Sequence, residues 1–275
     1  MQPSNAAPVA RLVHFHGFSD HINNTFDLFP SLARRGIFCT GIDQRGWGQS
    51  AKTKADRGNT GPTAAILADF AAFIEVQLEA KPSVPVFVMG HSMGGGLAAT
   101  LASTPKYQNL VSRLGGIMLE APFIGLDAEQ EPSIITVVLG RLAGKLLPHF
   151  QITQPMKVET IVRDPAVQQI LKNDPLNPCV GTLEMFANML DRAADLTSGK
   201  LKLNDGVRSV YVAHGTGDQV TSHDASKHWF DAQTGKVADR KFKSYDGWSH
   251  LLHADLPENR QEFADDIAEW ILARV

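Results

Sequence analysis

Short runs rich in apolar and β-branched residues punctuate the chain at 9–15, 37–42, 84–89, 116–119, 209–213 and 240–245, each closed by glycine or a polar turn. These spans predict strands. Most are continuously apolar rather than alternating, the pattern of a parallel sheet covered on both faces. Between them, Ile66, Phe70, Phe73, Ile74 and Leu78 recur at helical spacing, with Gln77 the polar exception, and 97–101 and Phe263, Ile267, Trp270 and Ile271 do the same. Strand and helix in alternation predict an α/β fold: a mostly parallel sheet with helices on both faces.

The alternation stops between Pro122 and about Lys202. No clean strand is visible there. The stretch holds a greasy segment around 134–147, two Asp-Pro turns (Asp164-Pro165 and Asp174-Pro175) and a helical pattern over 181–196. It reads as a helical insertion between two sheet strands, dividing the chain into a core of residues 1–121 and 203–275 and a cap of residues 122–202. Loops beyond the carboxyl ends of parallel strands build the sites of such sheets, so the insertion is expected to cover the site.

Composition narrows the partners. In 275 residues, 26 Lys and Arg face 29 Asp and Glu, with no block of like charge, which argues against nucleic acid. The two cysteines, Cys39 and Cys179, fall far short of a disulfide framework, so a reducing, cytoplasmic compartment is expected. The amino terminus lacks a signal-peptide pattern, and no apolar run approaches the length of a membrane span.

The sharpest chemical signal is Gly90-His91-Ser92-Met93-Gly94, between an apolar strand run and the helix-compatible LAATLA. G-x-S-x-G in that context places serine on a tight strand-to-helix turn, where glycines two before and two after allow close approach of neighbouring segments. Ser92 is the candidate nucleophile, and the Met93 amide at the helix start would face a developing oxyanion. Serine needs a base oriented by an acid, expected in the order Ser, acid, His. Asp218 follows a strand run in His214-Gly215-Thr216-Gly217-Asp218; Asp224 and Asp246 fit less well, one in a helical pattern and one at a turn. Of ten histidines, His250 just beyond the last strand run is the preferred base, with His253 its rival. A second oxyanion donor is expected from the loop after the first strand, the amide of Phe18 after His16-Gly17.

With these residues in place, the chain resembles the monoacylglycerol lipases of the α/β-hydrolase fold, especially the fungal ones. HFHGFSDH, GIDQRGWGQS, FVMGHSMGGG, HGTGDQV and GWSHLLHADLPE occur in that family's order across residues 11–260. The resemblance implies Ser92, Asp218 and His250 as the triad, settling His250 over His253, with the Phe18 and Met93 amides as the oxyanion hole. Family members usually carry Gly-Glu-His where this chain has Ser19-Asp20-His21, a segment with a substrate-binding or loop-anchoring role. They also begin with further antiparallel strands before residue 9, for which this chain has no room. The amino end reads as shortened, with an unpaired sheet edge expected.

The expected reaction is cleavage of monoacylglycerol to fatty acid and glycerol through an acyl-enzyme, without metal or organic cofactor. Carboxylesterase and lysophospholipase activities are the alternatives within the fold. Ile134 and Val138, on the apolar helix of the insertion, are expected to line the acyl channel and to touch membranes or lipid droplets. A zinc hydrolase is a rival of another class, since His14, His16, Asp20 and His21 are similar to H-x-H-x-D-H. Here, however, three residues rather than one separate the second histidine from the aspartate. A catalytically silent binding protein on the same fold is the third reading, against which stands the presence of all three triad residues.

Overall fold

The computed structural model describes residues 7–126 and 134–275. In chain order the strands are β1 (Ala10–Phe15), β2 (Ile37–Gly41), β3 (Val86–His91), β4 (Gly116–Glu120), β5 (Gln151–Thr153), β6 (Val180–Thr182), β7 (Ser209–Gly215) and β8 (Asp239–Tyr245). The helices are α1 (Leu28–Arg34), α2 (Thr63–Ala80), α3 (Met93–Ser103), α4 (Gln108–Val111), α5 (Ile134–Leu146), α6 (Val158–Ile161), α7 (Pro165–Lys172), α8 (Leu183–Thr197), α9 (His223–Asp231) and α10 (Pro257–Leu272).

All strands but β5 and β6 form a six-stranded sheet of order β2-β1-β3-β4-β7-β8, parallel at every pairing. Successive side chains of a strand face opposite sides, so a sheet covered twice needs apolar residues at every position. Most positions of the inner runs meet that need. Val13 and Phe15 of β1, Val86 and Val88 of β3, and Val210 and Val212 of β7 pack into one core with α2 and α3. Their neighbours Ala10 and Leu12, Phe87 and Met89, and Tyr211 and Ala213 pack into the other, against α1 and α10. The β8 edge carries Arg240, Lys241 and Lys243, charges that discourage further strand addition. Lys243 is itself held by Glu262 and Asp266 of α10.

The stretch between β4 and β7 departs from expectation, since it does contain strands. β5 and β6 pair antiparallel, Gln151 opposite Thr182 and Thr153 opposite Val180. Three residues per strand leave too little length for a period-2 pattern, which explains why sequence alone missed them. The helix read at 181–196 is α8, and its start is set by Thr182, whose side chain accepts from the Met185 amide at 3.2 Å. Helix α7 starts likewise at Asp164, with Pro165 in its first position. Gly144 lets α5 approach α8, since a Cβ there would lie 3.1 Å from the Leu183 carbonyl oxygen.

Candidate active site

Ser92 sits between β3 and α3 with φ 52° and ψ −119°, a left-handed backbone unusual for a residue with a side chain. Its amide donates to the Glu120 carbonyl at 2.9 Å, and its own carbonyl accepts from Gly96 and Phe123. The flanking glycines are sterically required. A Cβ on Gly90 would lie 2.4 Å from the Gly94 carbonyl oxygen, and one on Gly94 2.3 Å from that of Phe15. The turn is therefore wedged against the end of β1, which brings the loop carrying Gly17 and Phe18 over the serine.

His250, in the loop after β8, donates from Nδ1 to Asp218 Oδ2 at 2.8 Å, leaving Nε2 as its acceptor. Asp218, in the loop after β7, is saturated with donors. Its Oδ1 accepts from the amides of Val220 (2.7 Å) and Thr221 (3.0 Å). Its Oδ2 takes the Thr221 hydroxyl (2.8 Å) and His214 Nε2 (3.0 Å) as well as His250. Burial alone would raise this carboxyl, but attraction to His250 and the hydrogen bonds from His214 and His250 hold it well below the usual range.

Ser92, Met93, Phe18, Asp20 and His250 line one cavity of about 250 Å³, with Gly17 and His91 beside them. It lies outside the carboxyl ends of β1, β3 and β8, where sheets of this class form their crevices. Phe123, Leu126, Phe186, Met189 and Val220 make much of its wall apolar; Asn177, Gln154, Lys157 and Thr160 contribute polar groups. Neither the Phe18 nor the Met93 amide donates to an acceptor among the described residues, so both remain available to a ligand. His16 fixes the Phe18 loop: its Nε2 accepts from the Gln44 amide at 2.9 Å, so its Nδ1 carries the proton that bonds the Gly17 carbonyl, also at 2.9 Å.

Asp20 lines the cavity with Oδ1 held by Asn24 Nδ2 at 2.7 Å. His21 does not line it. Its Nε2 donates instead to Asp174 at 2.6 Å, in the second Asp-Pro turn, while Ser19 Oγ accepts from the Cys179 amide at 2.8 Å. The loop after β1 is thus fastened to the 122–202 stretch at two points. The side chains of Ile134 and Val138 lie outside the described residues. Among the described residues, the exposed apolar side chains of this helix and the turn after it are Leu139, Leu142, Leu146, Leu147 and Phe150.

His253, the rival base, is committed elsewhere. Its Nδ1 meets both oxygens of buried Glu120 at 2.8 Å, and its Nε2 meets the Asn24 carbonyl at 3.0 Å. Carboxylate and carbonyl only accept, so both ring nitrogens carry protons and His253 is an imidazolium. Burial would lower its pKa, yet Glu120 raises it; burial would raise Glu120 in turn, but His253 brings it down to about 2. His91 lies between the two histidines, tilted at 4.8 Å from the His250 ring and edge-on at 5.5 Å from that of His253. Sequence reading missed Glu120, Thr221 and His214. A glutamate closing the otherwise apolar β4 was the visible signal for the first.

The model of the family described as serine aminopeptidase, S33, matches residues 6–257. The chain belongs to this α/β-hydrolase family. A putative monoglyceride lipase of Schizosaccharomyces pombe is 32% identical over 265 residues, covering 96% of this chain and 68% of the relative. The monoglyceride lipase of Saccharomyces cerevisiae is 26% identical over 269 residues, covering 95% of this chain and 84% of its own length. A solved soluble variant of that yeast enzyme, in complex with a substrate analog, superposes on this α/β-hydrolase with TM-score 0.87 at 22% identity, over 100% of this chain and 90% of its own. The fold and the monoglyceride-lipase resemblance read from the sequence are thereby borne out. Among the described residues of this hydrolase, no group of three His, Cys, Asp or Glu side chains is spaced to hold a metal ion. None of its helices among those residues is long and apolar enough to cross a membrane.

Proposed function

We propose that this α/β-hydrolase cleaves monoacylglycerol to fatty acid and glycerol, with Ser92 as nucleophile, His250 as base, Asp218 as its orienting acid and the Phe18 and Met93 amides as the oxyanion hole. One observation carries the reading. A serine strained at a strand-to-helix turn shares a cavity with a histidine whose Nδ1 is tied to a buried carboxylate and whose Nε2 is left to accept. In acylation, Ser92 Oγ bonds to the ester carbon as its proton passes to His250 Nε2, and the oxyanion is held by the two amides. The tetrahedral intermediate collapses, the ester C–O bond breaks, and His250 returns the proton to the leaving glycerol. Water then repeats the sequence on the acyl-enzyme.

The substrate class follows from the cavity and the relatives together. A space of about 250 Å³ falls just below the ~300 Å³ at which small-molecule pockets usually begin, room for one acyl chain rather than three. Apolar side chains suit that chain, while Asp20 and Asn177 suit hydroxyl groups of glycerol. Residues 122–202 act as the cap, and the exposed Leu139, Leu142, Leu146, Leu147 and Phe150 rest on a membrane or lipid-droplet surface to collect substrate. A fluorophosphonate probe read by intact mass tests the mechanism: wild type gains one adduct and Ser92→Ala none, and an unlabelled wild type overturns it. Monoacyl-, diacyl- and triacylglycerols, lysophospholipids and short esters offered side by side test the substrate. Turnover highest on a lysophospholipid or a short ester overturns the assignment.

A further inference from the structure

His214 stands outside the triad yet touches its acid. It is the penultimate residue of β7 and fully buried, and its Nε2 lies 3.0 Å from Asp218 Oδ2, the same oxygen that His250 reaches at 2.8 Å. An ionised carboxylate only accepts, so His214 Nε2 carries the proton of this contact. Its Nδ1 has no partner among the described residues, which fits the bare nitrogen of a neutral ring. Burial lowers the pKa of His214 despite the carboxylate beside it, so the ring stays neutral while it donates.

Two histidines therefore draw on one carboxylate oxygen. Each donor on Oδ2 takes up part of the negative charge that would otherwise stabilise protonated His250. We propose that His214 is a positioning residue for the reaction, sharing Asp218 Oδ2 with His250 and so dividing the carboxylate charge on which the base depends. This rests on the triad assigned above. The other groups around the two rings are few. Thr221, in the loop after β7, bonds Asp218; His223 of α9 lies edge-on to His214 at 5.6 Å; His91 faces His250 with the Glu120–His253 pair behind it. His91 is held neutral by burial, and Glu120 and His253 are tied to one another. Among the charged or titratable groups on these neighbouring elements, His214 alone shares the Asp218 oxygen with His250.

The test follows the rate of Ser92 labelling by a fluorophosphonate across pH, which needs no knowledge of the substrate. In labelling, Ser92 Oγ bonds to phosphorus, the P–F bond breaks, fluoride leaves and the serine proton goes to His250 Nε2. His214→Phe keeps a ring without the donor, and its acid limb should move ~0.5–1 unit toward higher pH. His214→Gln, whose amide nitrogen can take the place of Nε2, should return the limb close to wild type. A merely structural His214 would lower the plateau or the melting temperature of both variants and leave the limb in place, which overturns the inference while the triad stands. A wild type that takes no label overturns both. Imidazole ¹⁵N NMR of the unmutated protein gives a readout that survives a misfolded variant. His214 should keep a protonated Nε2 and a bare Nδ1 throughout the titration, and a protonated Nδ1 refutes the donor role.

Discussion

Replacing Glu120 by glutamine removes one charge from a buried pair and leaves the shape almost unchanged. Glu120 and His253 are 1% and 2% exposed, and the imidazolium has no other acid in contact among the described residues. In Glu120→Gln, His253 must either keep an uncompensated charge or lose a proton that now fills the gap to the new side-chain amide or to the Asn24 carbonyl. Breaking a buried pair by removing one partner costs about 3–5 kcal/mol. At ~2–4 °C per kcal/mol for a chain of this size, the melting temperature should fall by ~6–20 °C. The sign with pH follows from both partners. Glu120 is depressed from 4.5 to about 2, so its contribution is complete above 4.5 and fades as pH falls toward 2. His253 is raised above 6.5, so its contribution is complete below 6.5 and fades as pH rises through the folded value. The gap between wild type and variant should thus be widest between pH 4.5 and 6.5 and narrow on the alkaline side. Urea unfolding followed by circular dichroism at about pH 5.5, 7 and 9 measures it. A gap below ~1 kcal/mol at about pH 5.5, or one that does not change with pH, would refute the reasoning.

Gly94→Ala should cost about 2–4 kcal/mol and abolish probe labelling, because its Cβ meets the Phe15 and His16 carbonyl oxygens at 2.3 and 2.5 Å, both backbone; thermal melts and labelling check it, and a stable, labelled variant contradicts it. His14, His16, His91 and His214 are all lowered by burial, His14 to about 3, so the unfolded chain binds more protons below pH 6.5. Stability should fall with acid by up to ~1.4 kcal/mol per pH unit for each histidine, measurable by urea titration from about pH 7 to 5. Leu142→Ser and Leu146→Ser, which are exposed, should lower turnover of dispersed monoolein several-fold and leave a soluble short-chain ester untouched; equal losses on both would remove the lipid-surface role.

The inner strands were legible because a doubly covered parallel sheet leaves little freedom of pattern: both neighbours in each apolar pair are buried, so those runs stand out, whereas the edge strand β8 carries charged residues. Ser92 was legible for a related reason, since only glycine fits at positions 90 and 94. What escaped was held by contacts far apart in the chain. Nothing local to His253 says that Glu120, 133 residues earlier, will claim both its ring and its amide. His21 likewise reads as a site residue until Asp174 is seen to occupy it, and β5 and β6 exist only because 151–153 and 180–182 meet. Such partners emerge from tertiary geometry, for which periodicity and spacing carry no record.

The two fastenings between the β1 loop and the 122–202 stretch, Cys179 to Ser19 and His21 to Asp174, tie the roof of the cavity to the chain that carries Phe18. The chain that presents the Phe18 amide is anchored on one side by His16 and on the other by the 122–202 stretch, through Ser19 and His21, one and three residues downstream of that amide. Under the proposed mechanism, a bound molecule that props the roof apart would pull on the same short loop that presents the Phe18 amide. Under that mechanism, discrimination between substrates would be exerted on rate as well as on binding: a molecule of the wrong bulk would be admitted and would find the second donor withdrawn.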